Sequence, residues 1–336
     1  MIKEAMLYSK LEEGRVRCNL CAHGCTINCG RPGICGVREN REGVLYSLVY
    51  GTLIAASVDP IEKKPFFHVH PASKSYSIAT VGCNFSCDFC QNHDISQMPR
   101  TTRMITGEDF LPAEIVAKAK ESGSQTIAYT YTEPTVFFEL AYDTAKIAVE
   151  NGLKNLFVTN GFMTTETIEI IAPYLSAANV DLKSFRDEFY RKKCGARLSP
   201  VLESLKKMKE KGIWVEITTL LIPALNDSDE ELKDIARFIA GLGRETPWHI
   251  SRFHPQYKMQ NVAITPLDSL HRAAQIGREA GLKYVYSGNV PGDDGENTRC
   301  FHCGKLLIER YGFKIVGTNL QGGKCPHCGT ILDGIF

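Results

Sequence analysis

The sequence predicts an α/β protein built on a parallel sheet of βαβ units, open or closed into a barrel. A Cys-rich extension precedes the sheet and a small Cys-bearing module follows it. Three observations carry this reading. Short apolar strands alternate with amphipathic helices from about residue 76 to 290. The 13 cysteines fall mainly into three local groups instead of spreading along the chain. The stretch beyond a turn-rich boundary at 289–295 holds too little apolar material for a core of its own.

In chain order, residues 1–75 read as a preface with few regular elements. It includes one strand at 44–50 and a turn-rich connection, Asp59-Pro60-Ile61-Glu62-Lys63-Lys64-Pro65. The alternating series then places strands at 75–80, 127–131, 156–159, 178–182, 214–220, 249–253 and 283–287. Helices fall at 113–121, 136–149, 166–172, 200–210, 228–240 and 267–280. Three domains are expected: 1–75, 76–290 and 291–336. In folds of this kind the chemistry gathers at the C-terminal ends of the strands, which is where candidate residues are sought.

Lys+Arg 39 against Asp+Glu 38 leaves a net charge of +1, so no broad basic face for duplex nucleic acid is expected. Met1–Met6 lacks an apolar signal core, and no apolar run approaches the ~20 residues of a membrane span. A soluble cytoplasmic protein with reduced thiols is expected, with no membrane partner. Lys206, Lys207, Lys209 and Lys211 read as a solvated helix face, and His68 and His70 as structural residues.

Cys83-Asn84-Phe85-Ser86-Cys87-Asp88-Phe89-Cys90 has the form CxxxCxxC and follows the first strand of the series. Three thiolates hold three irons of a cubane and leave the fourth iron open to another ligand. A structural zinc ion normally takes four protein ligands. The spacing and position resemble the radical S-adenosylmethionine superfamily. The resemblance implies a partial (β/α) barrel, a [4Fe–4S] cluster on Cys83, Cys87 and Cys90, and S-adenosylmethionine on the open iron. It also implies reductive cleavage to a 5′-deoxyadenosyl radical. The superfamily's GGE motif has its counterpart in Tyr131-Thr132-Glu133-Pro134, which keeps the acid and lacks the glycines. Glu133 is therefore assigned to the methionine ammonium, Thr132 beside it to cofactor binding, and Phe89 to the adenine. Asn160-Gly161, Asp181-Leu182-Lys183 and His254 are similar to elements of the pyruvate formate-lyase activating enzymes. They imply that Asn160, Asp181, Lys183 and His254 surround cofactor and substrate.

A narrower resemblance rests on Asp59–Pro65, Cys87–Asn92, Thr130–Thr135, Asn226-Asp227-Ser228, Ser287–Gly292 and the C-terminal cysteines. These look like the AmmeMemoRadiSam-system radical SAM enzymes, over the chain from about residue 15 onward. That resemblance implies Memo-like and AMMECR-type partner proteins.

Cys300-Phe301-His302-Cys303-Gly304 and Cys325-Pro326-His327-Cys328-Gly329 are paired CxxCG knuckles separated by 21 residues. They predict a rubredoxin- or zinc-ribbon-like module, with zinc as the first choice and a single iron as the second. Cys18, Cys21, Cys25 and Cys35 are the expected N-terminal set, with Cys29 as a spare, and thiolate softness suits zinc and an auxiliary [4Fe–4S] cluster alike. Cys194, among basic neighbours, reads as a partly buried thiol.

The expected function is radical modification of a small molecule or nucleobase, as an oxidoreductase or transferase, with flavodoxin or ferredoxin as electron donor. The alternatives are a glycyl-radical-enzyme activase acting on a protein partner, and a metal-held scaffold without catalysis.

Overall fold

The computed structural model describes residues 1–336. Its centre is an eight-stranded sheet. In chain order the strands are β1 (Ala55–Pro60), β2 (Lys74–Ala79), β3 (Thr126–Tyr129), β4 (Lys154–Thr159), β5 (Ala177–Asp181), β6 (Trp214–Leu221), β7 (Trp248–Arg252) and β8 (Val285–Gly288). From β2 to β8 each strand pairs in parallel with the next, while β1 pairs antiparallel with β2 at one edge. The two edge strands, β1 and β8, do not pair with each other. The crossover helices are α1 (Pro112–Glu121), α2 (Phe138–Glu150), α3 (Thr165–Ile171), α4 (Ser199–Glu210), α5 (Asp229–Leu242) and α6 (Leu267–Glu279). The α/β reading with a mainly parallel sheet is therefore what the chain folds into. The expected boundary at 75/76 runs through the β1–β2 hairpin, so the sheet begins upstream of it.

Strand periodicity of two explains how the sheet is covered. Ile127, Tyr129, Phe157, Ala178, Val180, Val215 and Ile217 point into the main core shared with the helices. Ala128, Leu156 and Ala177 point the other way, where they meet Ile61, Phe66 and Val69. The segment after β1 thus fills part of the inner side of the sheet. Asn179 Nδ2 donates to Pro65 O at 2.6 Å and fixes this segment to β5.

The inner face of β6 carries a buried carboxylate. Glu216 accepts hydrogen bonds from Phe67 N (3.0 Å), His68 N (2.9 Å) and Trp214 Nε1 (3.2 Å). His249 Nε2 from β7 completes the set at 2.6 Å. These bonds hold the Glu216 carboxyl below its ordinary range against the opposing effect of burial.

The N-terminal extension consists of two small antiparallel sheets, one of Lys3–Glu4, Val44–Ser47 and Arg38–Arg41, the other of Tyr8–Lys10, Val16–Cys18 and Thr26–Ile27. It is fastened to α2 by a buried ion pair, Arg38 Nη1 to Glu139 Oε1 at 2.8 Å, with Met6 N donating to the same oxygen at 2.7 Å. Removing one partner of such a pair strands the other as a buried charge. The C-terminal residues form a three-stranded antiparallel sheet of Thr298–Arg299, Leu306–Tyr311 and Lys314–Thr318. Its apolar centre is small: Cys300, Leu307, Ile308, Cys325 and Leu332. Three of the four lysines of the α4 region are ion-paired, Lys207 with Glu169 and Glu210, Lys211 with Glu169, and Lys209 with Glu245, and the fourth, Lys206, is exposed. No helix is long and apolar enough to cross a membrane.

His68 joins three parts of the fold. Its Nδ1 meets Asp333 O and its Nε2 meets Tyr286 OH, each at 2.7 Å, while Ile335 N donates to its carbonyl at 2.8 Å. Burial lowers its pKa to about 4. The unfolded chain therefore takes up a proton below pH 6.5 that the folded chain refuses until about pH 4. Stability from this group is complete above pH 6.5 and falls by on the order of 3 kcal/mol as the pH drops to 4. Denaturant titrations of the wild type and His68→Gln are expected to differ most near pH 7 and to converge toward pH 4. A gap independent of pH would refute this account.

Candidate functional site

A cavity of about 500 Å³ opens at the C-terminal ends of the strands, between the loop after β2 and the inner sheet face. The loop after β2 is fixed from several sides. Ser86 N and Asp88 N donate to Cys194 O and Lys193 O, both at 2.9 Å. Arg100 Nη2 donates to Cys83 O at 2.8 Å, and Gln97 Nε2 to Phe85 O at 3.1 Å. The close approach at Ser86 explains one glycine: Gly195 has φ +67°, and a Cβ there would meet Ser86 Oγ at 2.6 Å.

Cys83, Cys87 and Cys90 all line the cavity. Phe85 N points at Cys83 Sγ from 3.3 Å, a donor suited to a thiolate. Burial, and the nearby Glu133 carboxylate, push the Cys83 thiol well above its usual range. Contact with the Cys194 thiol, and burial, do the same to Cys87. Three thiols gathered this way ionise only when a cationic centre takes their protons' place. Cys194 is buried behind Cys87 and does not line the cavity, so three sulfurs face it. This donor set fits a cubane with one iron left open.

Thr132, Glu133, Asn160, Asp181, Lys183 and Phe89 line the same cavity. Glu133 begins a short turn ahead of α2. Its Oε1 accepts from Thr135 N (3.0 Å), Thr135 Oγ1 (2.5 Å) and Thr159 Oγ1 (2.7 Å), and its Oε2 accepts from Asn160 N (2.8 Å). Three of these donors crowd onto Oε1 and only one meets Oε2, so Oε2 keeps room for a bound cation. Asn160 Nδ2 donates to Asn84 Oδ1 at 2.7 Å, which couples the end of β4 to the cysteine loop. Thr132 Oγ1 donates to Thr80 O at 2.8 Å. Tyr131 sits at φ +62°, rare for a bulky residue, with its carbonyl held by Asn92 Nδ2 at 2.7 Å. Its hydroxyl donates to Asp59, which also accepts from Lys63 Nζ (2.9 Å) and Lys64 Nζ (2.6 Å). The Asp59–Pro65 motif thus braces the loop that carries Glu133. On the opposite wall Lys183 Nζ meets Asp181 Oδ2 at 2.8 Å and lies 5.7 Å from the Phe89 ring centre. Burial alone would lower the Lys183 pKa, but the Asp181 carboxylate keeps it well above its usual range.

His254 is the exception. It is exposed and does not line the cavity. The chain leaves the sheet after Arg252, buries Phe253 and turns outward, so His254 points away. His249, five positions earlier on β7, lines the cavity floor. Glu216 holds its Nε2, and its Nδ1 makes no hydrogen bond within the chain. Two-residue alternation along 249–253 was the available signal for an inward-facing His249.

The outer cysteine groups differ from each other. Cys300, Cys303, Cys325 and Cys328 bring all four sulfurs within 4.8 Å of one another, with 3.6 Å between Cys300 and Cys328 and 3.7 Å between Cys303 and Cys325. A tetrahedron of thiolates about one ~2.3 Å metal–sulfur bond from its centre has edges of about 3.8 Å, so the set fits a single ion. Cys18, Cys21, Cys25 and Cys35 line one small pocket against the core, while Cys29 is exposed outside it.

The network at Glu133 is testable. Glu133→Ala leaves Thr159, Asn160 N and Thr135 N without a buried acceptor and is expected to cost about 3 kcal/mol or more, with Glu133→Gln costing less. Urea unfolding of the metal-free protein measures this, and a loss below ~1 kcal/mol for Glu133→Ala would show that the carboxylate does not hold these loops.

Comparison with known proteins agrees with this geometry. Residues 77–239 match the family model of the radical SAM superfamily. The chain is 47% identical, over 99% of both chains, to an uncharacterized protein of Methanocaldococcus jannaschii. It is 21% identical to pyruvate formate-lyase 1-activating enzyme of Escherichia coli over 61% of this chain and 89% of that one. A solved radical SAM methyltransferase from Sphaerobacter thermophilus superposes with a TM-score of 0.50 at 17% identity, covering 88% of this chain and 80% of that one. With its cysteine loop at the head of a mainly parallel sheet and its central residues matching the family model, the chain belongs to the radical SAM superfamily and is an enzyme.

Proposed function

We propose that the chain holds a [4Fe–4S] cluster on Cys83, Cys87 and Cys90, binds S-adenosylmethionine in the adjoining cavity, and modifies a small molecule or nucleobase bound deeper in it. When bound, the cluster and S-adenosylmethionine supply one-electron cleavage of the sulfonium and a 5′-deoxyadenosyl radical. The observation that carries this reading is the convergence of three thiols and one carboxylate with a free acceptor position on one cavity. Glu133 Oε2 takes the methionine ammonium, and Phe89 and Lys183 form the wall against the nucleoside. Asn160 fixes the relation between the carboxylate and the cysteine loop. His249 presents its free ring nitrogen at the floor, where the substrate is expected. The family fold supports a partial barrel around this cavity.

Glu296, Gly312 and Phe313 from the C-terminal residues also line the cavity and narrow it. That favours a small substrate over the inserted loop of a protein partner, as an activase would require. The scaffold reading has no support from the superfamily, whose members compared above include an activase and a methyltransferase. Zinc is proposed for the Cys300–Cys328 site, from its sulfur spacing. All 13 cysteines are free, which supports a reducing compartment such as the cytoplasm, with flavodoxin or ferredoxin as reductant. The AmmeMemoRadiSam-type motifs make Memo-like and AMMECR-type proteins the proposed partners.

The deciding experiment is 5′-deoxyadenosine release by the anaerobically reconstituted, dithionite-reduced protein. Release is expected from the wild type and is expected to vanish in Cys87→Ala. Turnover retained in that variant would sink the assignment.

A further inference from the structure

We propose that the pocket of Cys18, Cys21, Cys25 and Cys35 holds a second, all-thiolate [4Fe–4S] cluster that passes electrons to the centre at Cys83, Cys87 and Cys90. The two outer cysteine groups differ within one molecule. The C-terminal thiols close to single-ion spacing, with all four sulfurs within 4.8 Å of one another. No three thiols of the N-terminal set come that close, and neither do the three of the central motif. A cubane interposes inorganic sulfide and iron between its ligands, so it needs thiolates farther apart than one zinc ion does.

Two buried N–H donors on the pocket lining, Asn84 Nδ2 and Arg38 Nε, have no hydrogen-bond partner in the protein. Asn84 is 1% and Arg38 2% exposed, so bulk water does not reach them. Leaving such donors unpaired is costly, and cluster sulfides and cysteine sulfurs are acceptors that would satisfy them.

The two cysteine sites are also adjacent. Asn84 follows Cys83 directly, and His23, inside the N-terminal motif, meets Asn84 O through Nε2 at 2.8 Å. Arg100 bridges Cys83 O (2.8 Å) and Ile34 O (2.6 Å), the residue before Cys35. One residue layer separates the two sites. Four protein thiolates leave no iron open, so the second cluster binds no substrate, and electron transfer is the chemistry left to it. One electron from a donor of the flavodoxin or ferredoxin class takes its core from 2+ to 1+. Passing that electron to the central site restores 2+, with no bond or proton changed.

The relay rests on the proposed central cluster, but the metal assignment does not, and the test separates them. In the full-length triple variant Cys83→Ala/Cys87→Ala/Cys90→Ala, anaerobically reconstituted, about four irons and about four labile sulfides per chain are expected to remain. Zinc without sulfide, or an empty pocket, overturns the proposal. In the dithionite-reduced wild type, electron paramagnetic resonance is expected to show two spin-coupled centres with broadened lines. The triple variant should give one sharp, uncoupled signal. Two uncoupled signals in the wild type overturn the relay. If the triple variant keeps its cluster while the wild type gains no second one, the central assignment fails instead.

Discussion

The buried carboxylate of Glu216 is the interaction on which the inner architecture depends. It is a charge without water, stabilised by four donors, one from its own strand and three from two segments distant in sequence. Because two of those donors are backbone N–H groups of Phe67 and His68, the segment after β1 has one defined seat across the sheet. From that seat Phe66 and Val69 cover the inner apolar residues, Phe67 becomes the cavity floor, and His68 receives the C-terminal residues. Burying a single polar residue on β6 thus sets how deep the cavity runs. Desolvation penalises an arrangement of this kind heavily unless every acceptor position is filled, and that penalty makes the seat specific.

The cavity above that floor is built from strand ends whose loops are tied to one another. Glu133, Thr159 and Asn160 join the ends of β3 and β4, and Asn84 carries the connection into the cysteine loop. On the far side, Asp59 collects two lysines and the Tyr131 hydroxyl and holds Tyr131 in its left-handed conformation. The reacting groups therefore stand on loops, while their positions are set by buried charges beneath and beside them.

Much of this was legible in the sequence. The strands from β2 to β8 and the six crossover helices follow from apolar alternation alone, because parallel strands covered on both faces read as short apolar runs. The cysteine groups announced themselves by spacing. Strand β1 did not, since its run Ala55–Pro60 has one large apolar residue, is largely exposed and ends at a proline, the pattern of an antiparallel edge. Glu216 looked like one polar residue inside an apolar strand. Its partners lie about 30 and 150 positions away, beyond any local pattern. His254 drew attention through its place after a strand, yet the direction a side chain takes beyond a strand end is set by what the loop packs against. The buried pair Arg38–Glu139 was invisible for the same reason as Glu216.

The contact of His68 with Asp333 spans 265 positions. A ribosome delivers the cysteine loop, the sheet and the helices long before it delivers the residues that cap the floor. During that interval the nascent sheet has an open underside, and closure is a late, non-local step of the slow kind. Until then the sheet stays accessible from below, and Asp333 and Ile335 act as a latch that ends this access.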